Sequence, residues 1–199
     1  MQGIYVQGST YQKSGRFDYS SKKRLFKSSG TSVTEVLVVV GIFAILMAIA
    51  VPSFKNLQEK LRLEGVAAEL VADFNYAKGE ANARNRNMRI RFGSDVGGTY
   101  YVIHTGNVDA CTCNSSGTSA CNTATDFTLK CIGLTSASGL SVYANVNSMY
   151  IDSQRNTFTP AGSINIAGSD GKAIKHIVNI VGRVRTCSPG GEISGYTPC

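Results

Sequence analysis

Sixteen consecutive residues from Val36 to Val51, VLVVVGIFAILMAIAV, carry no charge, and no other feature constrains this chain as much. With Val33, Thr34 and Glu35 the run reaches nineteen residues, close to the ~20 that a membrane-spanning helix needs. A secretory signal would end in a small-residue cleavage site. Here the run passes into Pro52 and then into Phe54, Leu57, Leu61, Val66, Leu70, Phe74, Ala77 and Ala81, a stripe at helical spacing with charges between its members. The spacing predicts one helix continuing to about Ala83, kinked where Pro52 lacks a backbone donor. A helix from Thr31 to Ala83 rises ~80 Å. One globule cannot bury that length, so its first half must pack on something else.

The 199 residues are 43% hydrophobic and 17% charged, which excludes a disordered tail or a collagen-like repeat and leaves room for one compact domain beside the helix. The net charge of +7 invites a nucleic-acid reading, but it is unevenly placed. Residues 1–30 hold six Lys or Arg against Asp18, a surplus of +5, and the rest of the chain has a surplus of only +2. Lys22, Lys23, Arg24 and Lys27 lie just before the apolar run, and the positive-inside rule keeps that flank cytoplasmic and the remainder outside. Glu35, a carboxylate at the edge of the run, either snorkels to water or awaits a positive partner such as the N-terminal amine of a neighbouring chain.

Gly30 followed by TSVTEVLVVVGIFAILMAIAVPSF resembles the N-terminus of type IV pilins and pseudopilins. The resemblance implies that a prepilin peptidase cuts after Gly30 and N-methylates Thr31. Glu35 then falls at the fifth mature position and Pro52 at the twenty-second, as in the family pattern. It also implies insertion in the bacterial inner membrane, surrounded by lipid, before assembly with other major and minor pilins into a filament core, where Glu35 serves assembly. Three segments are expected: a leader at 1–30, a transmembrane helix at 31–53 and a globular domain at 54–199. Residues 1–24 are read as a start-site artefact, because initiation at Leu25 leaves a short leader typical of the family.

Beyond Asn85 the pattern changes to alternation, at Met88, Ile90 and Phe92 and again in 99–105, 126–132, 140–146, 148–152, 156–160, 163–168 and 175–185, with Gly and Asn turns between. A long helix packed on an antiparallel sheet, an α+β fold, is the economical arrangement, and the resemblance implies its type IV pilin-like form. Thr112–Thr125 is rich in Ser, Thr, Asn and Gly and reads as a loop.

All six cysteines follow the apolar run: Cys111, Cys113, Cys121, Cys131, Cys187 and Cys199. An even count in an oxidising compartment favours disulfides. A zinc site is the competing reading, but Cys111-x-Cys113 lacks the usual spacer and neither histidine is near in sequence. Cys187 with Cys199 closes a short loop and pins a Gly- and Pro-rich tail; the other four allow three pairings. His104 and His176 sit in strand-like runs outside any nucleophile-elbow, HExxH, P-loop or Rossmann pattern, and the acidic residues form no catalytic pair. The reading is non-enzymatic, without metal or cofactor.

Two arginine groups remain. Arg84, Arg86, Arg89 and Arg91 lie within eight residues; strand alternation puts Arg89 and Arg91 on one face and the apolar residues on the other. This face is either solvated or used for filament or DNA contacts. In VNIVGRVRTC, 178–187, a strand would point Arg183 and Arg185 the same way, ~7 Å apart and near the spacing of successive phosphates, with Gly182 allowing close approach or a bulge. GRVRTC resembles the GRxR motif of FimT-type minor pilins of the GspH/FimT pseudopilin family, and FTPAGSINI at 158–166 resembles the strands before it. That resemblance implies double-stranded DNA binding in natural transformation through Gly182, Arg183 and Arg185. Lys172 and Lys175 join them by position only. The Cys-rich insertion at 111–131 has no counterpart in the family pattern. The alternatives are a structural or assembly-initiating minor pilin, a GspH-like pseudopilin of a type II secretion system, or an adhesin using the insertion.

Overall fold

The computed structural model describes Gly30 and residues 32–199, with the side chain of Pro52 excepted. The leader expected at 1–30, apart from Gly30, and Thr31 lie outside the described residues. The chain divides into two units, one ending at Ile45 and one comprising Leu46–Cys199. In the first unit the described helical residues are exposed.

Helix α1 spans Val33–Arg84. The Ser32 carbonyl accepts the Glu35 and Val36 N–H groups, and Glu35 in the first turn complements the positive end of the helix dipole. At the other end Asn85 turns left-handed, with φ 47°. Its N–H donates to Asn82 and that of Arg86 to Ala81, the paired bonds that satisfy terminal carbonyls when a left-handed residue stops a helix. Leu63, Ala67, Leu70, Phe74, Ala77 and Ala81, spaced alternately four and three apart, are buried. The stripe expected from Phe54 departs from this: Phe54, Leu57 and Leu61 are exposed, because the sheets begin to cover the helix only at Leu63.

The strands are β1 (Met88–Asp95), β2 (Gly98–Thr105), β3 (Cys111–Cys113), β4 (Ser119–Cys121), β5 (Thr128–Thr135), β6 (Leu140–Ala144), β7 (Ser148–Asp152), β8 (Thr157–Thr159), β9 (Gly162–Gly168), β10 (Ala173–Val178) and β11 (Val184–Cys187). They make a five-stranded sheet ordered β5-β2-β1-β7-β8, a four-stranded sheet ordered β11-β10-β9-β6 and the hairpin β3-β4. Each of these ladders is antiparallel. The inner faces of both larger sheets and the buried helix stripe share one core, which lies wholly between Leu63 and Ile193. Within it Phe74 of α1 meets Phe158 of β8 edge to face at 5.7 Å.

Two sequence expectations are corrected. Thr112–Thr125 is not all loop: it contains most of the β3-β4 hairpin, held by Cys111–Cys121 and tied to β5 by Cys113–Cys131. The run 175–185 is not one strand but two, β10 and β11, folded into a hairpin with Val178 opposite Val184. Cys187 is joined to Cys199, and the tail lies beside the end of β11, where Ser188 accepts from Cys199 and donates to Thr197.

Candidate functional site

The β10–β11 hairpin turns over Ile180, Val181 and Gly182. The Gly182 N–H donates to the Asn179 carbonyl and the Asn179 N–H to that of Arg183, a three-residue loop closed by a left-handed glycine. Gly182 has φ 81°, and a Cβ there would stand 2.6 Å from the Phe158 ring. Glycine is therefore required twice, for the turn and for its seat on the core. The Asn179 side chain accepts the Arg183 N–H at 2.8 Å. Two contacts fix the loop from outside: Phe158 N–H donates to the Ile180 carbonyl at 2.7 Å, and Lys78 Nζ to the Val181 carbonyl at 3.2 Å.

Arg183 leaves this turn and Arg185 lies on β11, the edge of its sheet; both are exposed, with half-buried Val184 between them. Ile177 is the cross-strand neighbour of Arg185, and Lys175 lies two residues back along β10. Gly182 is thus a turn residue packed on Phe158, not a bulge within a strand. Lys172 is separated from the group, because it sits at the opposite end of β10 and binds Asp170 at 2.7 Å. That hydrogen bond raises the Lys172 pKa and lowers that of Asp170. Among the described residues Arg183, Arg185 and Lys175 have no carboxylate partner within ion-pair distance.

The first arginine group is engaged internally. Arg84 pairs with Glu80 one turn back, and that hydrogen bond raises its pKa. The guanidinium groups of Arg84 and Arg86 both lie over the Phe127 ring, and Arg86 donates to the Thr125 carbonyl. Arg89 donates to Ser148 and stacks on Tyr150 at 5.3 Å, and Arg91 pairs with Asp109 at 3.1 Å. These cations join α1, β1, β7 and the insertion to one another.

The titratable groups of the interior are structural in their contacts. Buried Asp73 accepts from Tyr101 at 2.7 Å and Lys130 at 2.6 Å. Burial, then the Asp73 bond, pushes the Tyr101 hydroxyl well above its ordinary range. For Lys130 desolvation is outweighed by its bonds to Asp73 and Glu69, so its pKa is raised. His104 and His176 are buried and burial pushes both imidazoles down.

Sequence reasoning missed Lys78 and the turn. The turn was signalled by Asn179 with Gly182 three residues on, a pattern for position i and i+3 of a tight turn. Lys78 follows core residue Phe74 by four and so shares its helix face.

A long apolar helix joined to a disulfide-bonded antiparallel domain of this build defines a pilin-like subunit. The sequence family described as type II transport protein GspH matches residues 66–182, more than half of the chain, and the chain belongs to that family: it is a type IV minor pilin or GspH-like pseudopilin. The match includes Gly182 and stops before Arg183 and Arg185. Similar solved structures include the type IV minor pilin FimU of Pseudomonas aeruginosa, at 19% identity over 65% of this chain and 90% of that one, TM-score 0.46. Another is the minor pseudopilin EpsH from the type 2 secretion system of Vibrio cholerae, at 13% identity over 64% of this chain and 98% of that one, TM-score 0.42. No curated protein sequence matches the chain. Pilins and pseudopilins are structural rather than enzymatic, and they associate with other pilins in a filament.

Proposed function

We propose that this chain is a minor pilin that captures extracellular double-stranded DNA without sequence preference, for uptake in natural transformation. The observation that carries the reading is the contrast between arginines: Arg183 and Arg185 stand exposed and without a carboxylate partner, whereas Arg84, Arg86, Arg89 and Arg91 are each held by the fold. Phosphate contacts position a protein on a duplex but carry no sequence information, so a retracting filament moves whatever DNA it holds. The footprint is Arg183 and Arg185, with Lys78 and Lys175 beside them. Neutralising two to four phosphates gives a log–log salt slope of about −2 to −4, weak for one subunit and multiplied in a filament.

In this reading prepilin peptidase cleaves after Gly30 and methylates Thr31. The apolar helix crosses the inner membrane with the C-terminus outside, then enters the pilus, where Glu35 meets a neighbour's N-terminal amine. Three disulfides support the outside placement, since such bonds persist in oxidising compartments. The second reading is an assembly-initiating or secretion pseudopilin whose hairpin arginines contact neighbouring subunits. It is favoured by the match to the family described as type II transport protein GspH.

The test is a mobility-shift titration of residues 55–199 with random duplex DNA at several salt concentrations. That fragment contains the whole core and every disulfide, and folding is checked by circular dichroism. Salt-sensitive binding that disappears in a folded Arg183→Ala/Arg185→Ala variant supports the DNA reading. No binding by the unaltered fragment transfers the hairpin to subunit contacts.

A further inference from the structure

The hairpin carries a feature that phosphate contacts leave unused. Its tip residues Ile180 and Val181 are 55% and 69% exposed, although both are β-branched and apolar. They do not hang on a loose loop, because Phe158 and Lys78 hold the carbonyls of these two residues from β8 and α1. Cations lie next to the tip, Lys78 on the helix and Arg183 and Arg185 along the chain. An apolar pair on a braced tip beside cations has the parts of a groove wedge.

We infer that Ile180 and Val181 enter the minor groove of the duplex that Arg183 and Arg185 hold and press between adjacent base pairs, loosening one stack. This rests on the DNA reading and adds to it a bent or locally opened duplex as the bound form. The groove follows from width. Two short side chains on a three-residue tip fit the ~6 Å minor groove, and apolar wedges that unstack base steps act from that groove. A lipid surface fits less well. Lys78, beside the tip, lies 27 residues beyond Val51, or ~40 Å along the helix from the end of the apolar run.

The experiment uses residues 55–199 and a short duplex containing 2-aminopurine, whose fluorescence rises when it unstacks. Three proteins are compared: unaltered, Ile180→Ser/Val181→Ser, and Arg183→Ala/Arg185→Ala. The unaltered protein is expected to raise the fluorescence at saturation and to be displaced by netropsin, a minor-groove ligand. The tip variant is expected to bind about 3- to 10-fold more weakly with the same salt slope and no fluorescence rise. DNA binding without a fluorescence rise, or a tip variant that matches the unaltered protein in both readouts, overturns the wedge while leaving the DNA reading standing. Loss of binding to anionic-lipid vesicles or to neighbouring pilins in the tip variant, with its DNA signal unchanged, also overturns it. If the unaltered protein binds no DNA, the wedge and the reading beneath it fall together.

Discussion

The two arginine groups differ in what surrounds them, not in what they are. Arg84, Arg86, Arg89 and Arg91 sit where α1 gives way to β1, and there the fold supplies Glu80, Asp109, Ser148 and the rings of Phe127 and Tyr150. Arg183 and Arg185 sit at a sheet edge, where the neighbours along the chain are Gly182, Val184 and Thr186 and the cross-strand neighbour of Arg185 is Ile177. A cation that bridges elements contributes to stability. One with no partner leaves its charge for something outside the chain. Local density of arginine therefore says little about function until the partners are known.

Substitutions can break this contrast. The largest effect is expected from Gly182→Val, which places a branched side chain at φ 81° and against the Phe158 ring. Strain and overpacking together cost about 3–4 kcal/mol in urea unfolding. Gly171→Ala, also at positive φ but in open space, costs about 1 kcal/mol by the same measurement. Cys187→Ser/Cys199→Ser releases the tail beside β11 and costs about 3 kcal/mol on the loop-entropy account.

Arg89→Ala removes a half-buried stem, a hydrogen bond and a ring contact, and is expected to cost about 1–2 kcal/mol. Arg183→Ala, being exposed, changes stability by less than about 0.5 kcal/mol. The reverse ranking would mean that the hairpin arginine is the structural one. The smallest effect is pH dependence. His104 and His176 have folded pKa values below the ordinary 6.5, so the unfolded chain takes up protons first as pH falls. Their contribution is full above about pH 6.5 and declines below it towards the folded values. Urea midpoints at about pH 7.5 and about pH 5 should fall in that order, and a higher midpoint at the lower pH would contradict the burial of both rings.

Much of the architecture was legible in the sequence because periodicity is a local property. The apolar run, the helix end near Arg84 and the alternation of Met88, Ile90 and Phe92 against Arg89 and Arg91 all declare themselves within a few residues. What was hidden depends on partners distant in the chain. Phe54, Leu57 and Leu61 continue the helical stripe, but no strand covers them. In VNIVGRVR a continuous apolar pattern concealed a turn, because exposed Ile180 and Val181 look like core residues and only Asn179 and Gly182 mark the reversal. Lys78 is 103 residues from the carbonyl that it binds, a separation no local pattern reveals. The disulfides of the insertion, Cys111–Cys121 and Cys113–Cys131, depended likewise on a register between strands.

The DNA reading assigns duplex binding to Arg183 and Arg185, which have no carboxylate partner, and not to the denser group at the helix end. Fluorescence anisotropy of labelled random duplex against salt concentration tests it directly, with Arg183→Ala/Arg185→Ala and Arg84→Ala/Arg86→Ala measured beside the unaltered domain. Replacing the hairpin pair is expected to make the log–log slope shallower by about 2, and replacing the helix-end pair to leave it unchanged. A slope that falls with Arg84 and Arg86 and persists without Arg183 and Arg185 would contradict it.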